Sequence, residues 1–204
     1  MWSSDGTQII SMILVSGGAT IFQAWSPITG QLVGPVLLTF NSEDVGFTLP
    51  SPNRKLILIA GRENVGIWDI GKRKLVSTLP VNMWGENAAA GVTWSPDNSK
   101  IAIGDFKSKV VKIWSVLDGE PEGSFTDHAG SLYWSPDGKY IAETTTQIYI
   151  WDVHTKRVIA SFGQVGANQF IAWAAWSTDS RKLASSTINF KDFTQHTVNI
   201  WQLF

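Results

Sequence analysis

Short runs that alternate between hydrophobic and polar residues recur along the whole chain and are separated by polar turns. Val111-Lys112-Ile113-Trp114 is one such run, and Ile148-Tyr149-Ile150-Trp151 is another. Alternation with a period of two, carried by β-branched and aromatic residues, is typical of β-strands with one buried face. The pattern therefore predicts an all-β protein built from short antiparallel strands.

Tryptophan marks a repeat within this pattern, since the 204 residues include 11 tryptophans at regular places. Five of them close an alternating run, at successive spacings of 43, 46, 37 and 50 residues: Trp25, Trp68, Trp114, Trp151 and Trp201. A second series stands just before a polar turn, with Leu49 predicted to take that place in the second repeat: Trp2, Trp94, Trp134 and Trp176. A period of 40–50 residues with two anchors indicates one supersecondary unit repeated along the chain.

The polar turns have their own recurring sequence, of which Ser95-Pro96-Asp97-Asn98 and Ser135-Pro136-Asp137-Gly138 are the clearest copies. Proline presets φ, aspartate bonds nearby backbone, and glycine or asparagine tolerates the exit conformation. The aspartates at this place are Asp5, Asp97, Asp137 and Asp179. We interpret them as turn residues and not as a ring of ion ligands.

Each repeat predicts four short antiparallel strands, here called a, b, c and d in chain order. Such a sheet, repeated, is a β-propeller blade. The prediction is a single domain, 1–204, with about 18 strands and blade units of approximately 1–40, 41–80, 81–126, 127–163 and 164–204. The first unit lacks strand a and the last lacks strand d, so we expect an incomplete ring that is part of a longer propeller. The alternative is a small ring, or a dimer that covers its own edges.

Two dipeptides, Trp68-Asp69 and Trp151-Asp152, resemble the Trp-Asp signature of WD40 repeats, and the segment 133–152 is similar to the core of that family. The resemblance covers nearly the whole chain in five units and implies a WD40-type propeller that engages partners on its d–a and b–c loops. The family's Gly-His pair and the aspartate of its b–c turn are missing. We therefore expect blades held more by apolar packing than by the family's buried polar network. We assign structural repeat roles to Trp68, Asp69, Trp114, Trp151, Asp152 and Trp201.

Charge and composition exclude several classes of function. The net charge is −1 and charged residues make up 16%, so no basic field exists to hold nucleic acid or an anionic membrane. The chain has no cysteine, which excludes disulfides and thiolate chemistry. The apolar run from Ile9 to Val15 is too short for a membrane span and lacks the flanks of a secretory signal. The expected location is cytoplasmic.

No catalytic motif stands out in the sequence. The three histidines, His128, His154 and His196, fall in different repeats and loop types, and we interpret them as surface residues. No phosphate loop, nucleophile elbow or zinc signature is present. We therefore predict a protein that is not an enzyme and that uses no cofactor or metal.

Irregular loops are the best guide to a binding surface, because function concentrates there. The long b–c loop of the last unit carries two phenylalanines, and the loop before the third unit carries a tryptophan outside both series. Exposed aromatic side chains are candidate anchors for a partner protein. The predicted partner-binding residues are Trp84, Glu86, Arg62, Lys107, Lys109, Phe190, Lys191 and Phe193.

These observations predict a non-catalytic protein–protein interaction scaffold of WD40 type that binds a protein partner on its loop face. Self-association through open blade edges is a second possibility for partnership. The alternative function is an accessory propeller of a larger signalling enzyme or of a TolB-like periplasmic protein. An enzyme with its site in a central channel is the third hypothesis, weakened by the apolar innermost strands.

Overall fold

The computed structural model describes residues 1–41, 44–61, 64–81, 89–105, 107–126, 130–166, 168–189, 191 and 196–203. Within these ranges the chain forms eighteen β-strands in five antiparallel sheets, which confirms the all-β prediction. The first sheet contains β1 (Ile9–Val15), β2 (Ala19–Trp25) and β3 (Leu38–Asn41). The second contains β4 (Phe47–Pro50), β5 (Leu56–Ala60), β6 (Val65–Asp69) and β7 (Lys74–Leu79).

The remaining sheets follow the same meander order. The third contains β8 (Ala89–Trp94), β9 (Lys100–Asp105), β10 (Val110–Ser115) and β11 (Pro121–Thr126). The fourth contains β12 (Ser131–Trp134), β13 (Tyr140–Thr144), β14 (Ile148–Asp152) and β15 (Arg157–Phe162). The fifth contains β16 (Gln169–Trp176), β17 (Lys182–Asn189) and β18 (His196–Gln202). The first sheet thus consists of strands b–c–d and the fifth of strands a–b–c.

The chain divides into two compact units. One comprises Met1–Glu86 with Val116–Glu120, and the other comprises Asn87–Ser115 with Pro121–Phe204. In the first unit, apolar side chains of the first sheet pack on those of the second, Phe22 and Leu38 against Ile57 and Ile59. In the second unit, Ile148 and Ile150 of the fourth sheet form a core with residues of the fifth. Burying one such side chain contributes about 1.5–3 kcal/mol, so stacked sheet faces carry most of the stability.

The two tryptophan series meet across strand b in a fixed register. Trp114 on strand c and Trp94 on strand a both pair with Ile101 on strand b. The same row recurs in the fourth sheet, where Trp151 and Trp134 pair with Ile141. The two tryptophan series of the sequence therefore correspond to one row of cross-strand neighbours in these sheets, and this row lies next to the a–b turn.

The second repeat corrects one expectation, because Pro50 and not Leu49 takes the place of the turn tryptophan. Pro50 pairs with Ile57, as Trp94 pairs with Ile101. The turn fixes this register: the Ser51 hydroxyl accepts a hydrogen bond from the backbone N–H of Leu56. Counting from the tryptophan spacing alone misplaced the position by one residue.

The a–b turns share one hydrogen-bonding arrangement, which confirms the interpretation of the aspartates as turn residues. In the third repeat the Ser95 hydroxyl donates to Asp97 Oδ1, and the same carboxylate accepts the N–H of Ser99. Asn53 plays this part in the second repeat, where it accepts from Ser51 and from the N–H of Lys55. The last residue of each turn has a positive φ: Gly6, Arg54, Asn98, Gly138 and Ser180.

Candidate functional site

One end of each sheet carries the b–c turn and the connection into strand a, and the opposite end carries the a–b and c–d turns. The sequence analysis assigned the predicted binding residues to the first of these, here called the loop end; the opposite end is called the turn end. Arg62, Trp84, Glu86, Phe190 and Phe193 lie outside the described residues. Their assignment to a partner-binding surface therefore stays a prediction.

Three predicted lysines are described, and all three are exposed. Lys107 and Lys109 flank the β9–β10 turn, and Lys109 has a φ of 54°. Asp105, which was not among the predicted site residues, closes this turn by accepting the backbone N–H groups of Lys107 and Ser108. The hydrogen bond from the Ser108 N–H is the main cause of the lowered pKa of Asp105. Lys191 follows β17, and its backbone N–H donates to the side-chain oxygen of Asn189.

A pocket of about 460 Å³ opens at the loop end of the second sheet, within the first unit. The Phe40 and Trp68 rings meet edge to face on its wall, with centroids 5.0 Å apart and planes at 83°. Its remaining lining residues are Asp44, Ile59, Gly61, Asn64, Gly66, Leu75 and Thr78. The walls thus combine two aromatic rings and the aliphatic side chains of Ile59 and Leu75 with the polar groups of Asp44, Asn64 and Thr78.

Gly66 distinguishes the second sheet from the others at this place. The strand c residue two positions before the closing tryptophan is Gln23, Gly66, Lys112, Tyr149 or Asn199 in the five sheets. A Cβ atom on Gly66 would lie 2.7 Å from Trp68 Nε1, so the indole occupies the space that a side chain fills elsewhere. The sequence analysis missed this pocket, although the glycine that replaces a larger residue at this strand c position is a signal that an alignment of the repeats contains.

The tryptophans that close strand c also form hydrogen bonds with side chains of strand b in some of the sheets. The Trp25 indole N–H donates to the Ser11 hydroxyl at 2.7 Å, and the Trp201 indole N–H donates to the Ser185 hydroxyl at 2.9 Å. In the third sheet the corresponding strand b residue is Ile103, and Trp114 Nε1 is buried without a partner in the described part of the chain. A serine–tryptophan hydrogen bond between strands b and c thus forms in two of the sheets.

Glu143 takes the serine position in the fourth sheet and is fully buried. Its Oε2 accepts the indole N–H of Trp151 at 2.9 Å, while Oε1 has no partner among the described residues. Burial raises the pKa of this carboxyl, and the hydrogen bonds from Trp151 and from the Gly130 N–H only partly oppose that rise. A raised pKa can mark a functional acid, but Glu143 lies in the sheet interior and lines no described pocket.

The turn end of the first unit carries a second pocket, of about 470 Å³, with a different character. Arg54, Lys55 and Lys72 line it, and Asp69 is the one acidic residue on its wall. The Asp69 carboxylate accepts the Lys72 N–H and lies 3.5 Å from the Lys72 ammonium group. The two pockets of this unit therefore differ in charge, since the turn-end pocket is basic and the loop-end pocket has Asp44 as its charged residue.

Two structural searches bear on chemistry and location. Among the described residues, no group of three or more histidine, cysteine, aspartate or glutamate side chains is placed to hold a metal ion. The described part of the chain also contains no helix long and apolar enough to cross a membrane.

No family model and no curated protein matches the chain. Its fold is common, since 1331 chains of solved structures match it. One of them, from Kuenenia stuttgartiensis hydrazine synthase, is 15% identical and matches all of this chain with a TM-score of 0.68. The chain spans 62% of the length of that protein chain. Identity this low shows a shared fold alone, and a fold found so often hosts many functions.

Proposed function

We propose that the chain is a WD40-type β-propeller segment that acts as a non-catalytic scaffold and binds a protein partner at its loop end. The aromatic pocket of the second sheet is the observation that carries this proposal. A pocket with an aromatic wall and a few polar groups suits an anchoring side chain of a partner, because binding energy concentrates where a side chain fills a desolvated pocket.

The regularity of the five sheets supports this proposal. Rows of tryptophan and isoleucine recur at one register, and each turn is closed by its own hydrogen bonds. Function then depends on what the loops present, as in other proteins whose binding residues stand on irregular segments of a stable scaffold. The five-fold repetition and the TM-score of 0.68 favour the propeller architecture.

Partner capture by the tagged chain tests the loop-end assignment. The partners retained by the wild type are identified by quantitative mass spectrometry and compared with those of Trp84→Ala and Phe190→Ala. Ile28→Ala is the matched control, since Ile28 is 92% exposed in the c–d turn at the opposite end of the first sheet. We expect both loop variants to lose partners that the control retains. Unchanged capture by both would remove the site assignment.

An accessory propeller within a larger enzyme is the second candidate. The fold is compatible with it, since this chain matches 62% of a longer chain of hydrazine synthase. The intact mass of the native polypeptide separates the candidates. A mass near 22.5 kDa favours the scaffold, whereas a much larger polypeptide with a catalytic domain favours the accessory role.

Self-association is a further possible partnership, supported by one apolar face of the fifth sheet. Val198 and Ile200 on strand c are 69% and 73% exposed, and Trp173 on β16 is 71% exposed. The strand c residues at the same register of the fourth sheet, Ile148 and Ile150, are fully buried. An exposed apolar face of this kind is typical of association sites.

A further inference from the structure

We propose that the loop-end pocket of the second sheet, lined by Phe40, Asp44 and Trp68, binds a lysine side chain of the partner protein. The Trp68 ring and the Asp44 carboxylate hold the ammonium group. This inference rests on the proposed function, because the partner that docks at the loop end supplies the lysine. Three independent features of the described residues carry it.

The first feature is an example within the chain itself. Lys112 stands two residues before Trp114 on strand c, and its Nζ atom lies 5.9 Å from the centroid of the indole ring. This distance is within the range of a cation–π contact, for which tryptophan is the best aromatic partner. The third repeat therefore places its own ammonium group over the closing tryptophan.

The second feature is that the second repeat keeps the tryptophan and lacks the lysine. Gly66 pairs with Ile59, as Lys112 pairs with Ile103, so the two positions are equivalent by register. A side chain at Gly66 would collide with Trp68 Nε1, so this strand c position cannot supply a residue that covers the ring, and a pocket of about 460 Å³ borders Trp68. A group that enters this pocket from outside meets the aromatic wall that Lys112 covers in the third repeat.

The third feature is charge. Asp44 is the charged residue among the pocket's lining residues, and its side chain is exposed. The other lining residues carry no charge, so no basic side chain of the lining opposes the attraction between the Asp44 carboxylate and an entering cation. An aromatic π face carries partial negative charge, so the Trp68 ring adds to the attraction of a cation.

Lysine fits these features better than an acidic or a neutral side chain. An acidic group would meet the Asp44 carboxylate and the negative ring faces, and a neutral one would gain only from contact with the apolar wall. The aliphatic stem of lysine can lie along Ile59 and Leu75 while its ammonium group stays near the polar rim.

The test uses the whole chain and the n-butylammonium ion, which reproduces a lysine side chain, with n-butanol as the neutral probe of matched length. Indole N–H signals are followed by ¹H–¹⁵N NMR, and Trp68→Phe assigns the Trp68 signal. We expect a saturable shift of that signal below about 100 mM n-butylammonium and binding of n-butanol at least about 5-fold weaker. Asp44→Asn should weaken the binding of the cation about 3-fold or more and leave n-butanol unaffected.

Trp114 supplies the internal control, because Lys112 already covers its ring. Its indole signal should not respond in the wild type, and Lys112→Gly should make it respond to n-butylammonium. Equal binding of the two probes, or no saturable shift of Trp68 in the folded protein, would overturn the proposal. Partner capture is measured separately, so a functional pocket with unchanged capture by Trp84→Ala and Phe190→Ala would reject the loop assignment and leave the cation site standing.

Discussion

The buried carboxyl group of Glu143 should make stability fall as pH rises, and Glu143→Gln isolates this effect. Because burial raises the pKa in the folded state above its usual value of 4.5, the folded protein binds more protons than the unfolded chain. The stabilising contribution is complete below the unfolded pKa and is lost as pH rises toward the folded pKa. Glutamine has no charge to desolvate and keeps an acceptor for Trp151 Nε1.

The magnitude follows from proton linkage for one site. Between the unfolded and the folded pKa, the free energy of unfolding falls by up to about 1.4 kcal/mol for each pH unit. The difference between Glu143→Gln and the wild type should therefore grow in favour of glutamine by up to this amount per unit above pH 4.5. Other titrating groups cancel in the difference, because both proteins contain them.

Urea unfolding at several pH values between 4 and 7 measures the free energies from the transition midpoint and slope. Glu120→Gln is the control, since it makes the same chemical change at an exposed residue of the β10–β11 turn. A difference between Glu143→Gln and the wild type that stays constant within about 0.3 kcal/mol over this range would refute the assignment of a raised pKa.

Two further substitutions test the local chemistry. Ser185→Ala removes the acceptor of the Trp201 indole N–H and should lower the free energy of unfolding by about 1–2 kcal/mol, with a shift of the Trp201 indole signal in NMR spectra. The control is Ser99→Ala, which removes an exposed hydroxyl group of a turn. Equal losses of stability in the two variants would contradict the role of the Ser185–Trp201 hydrogen bond. Arg54→Gly should stabilise the chain by about 0.5–1 kcal/mol in thermal unfolding, because Arg54 has a φ of 59° and glycine adopts that conformation without steric cost. The reverse change at the same turn position, Gly138→Arg, should destabilise it.

The all-β architecture could be predicted from the sequence because the same pattern of strands and turns recurs in every repeat. Alternating runs that end on tryptophan give strand c, and the Ser-x-Asp turns give the a–b connection, so five copies corrected one another's ambiguities. The second repeat shows the limit of spacing alone, since Leu49 was placed where Pro50 stands. Register depends on the turn hydrogen bonds of Ser51, and the spacing of large side chains does not report them.

The candidate site was much harder to predict, because its features are contacts between residues far apart in the sequence. Phe40 and Trp68 belong to different sheets, and neither sequence context indicates that their rings meet. The sequence around Glu143 likewise indicates a surface residue of an alternating strand, whereas in the structure its side chain bonds to the Trp151 indole on the neighbouring strand. The loop aromatics chosen from the sequence, Trp84 and Phe190, lie outside the described residues.

The turns that close each a–b hairpin also have a consequence for how the chain folds. In the third repeat the hydrogen bonds that close the turn join residues between Ser95 and Lys100. The fourth repeat has the same bonds between Ser135 and Tyr140, with an added bond from the Asp137 N–H to the Ser180 hydroxyl. Closing so short a loop loses little chain entropy, so such hairpins form early and independently of distant contacts. Folding can then start in any repeat and proceed by docking one finished sheet on its neighbour, as in other linear arrays. A destabilised turn should therefore slow folding locally and leave the remaining repeats able to nucleate.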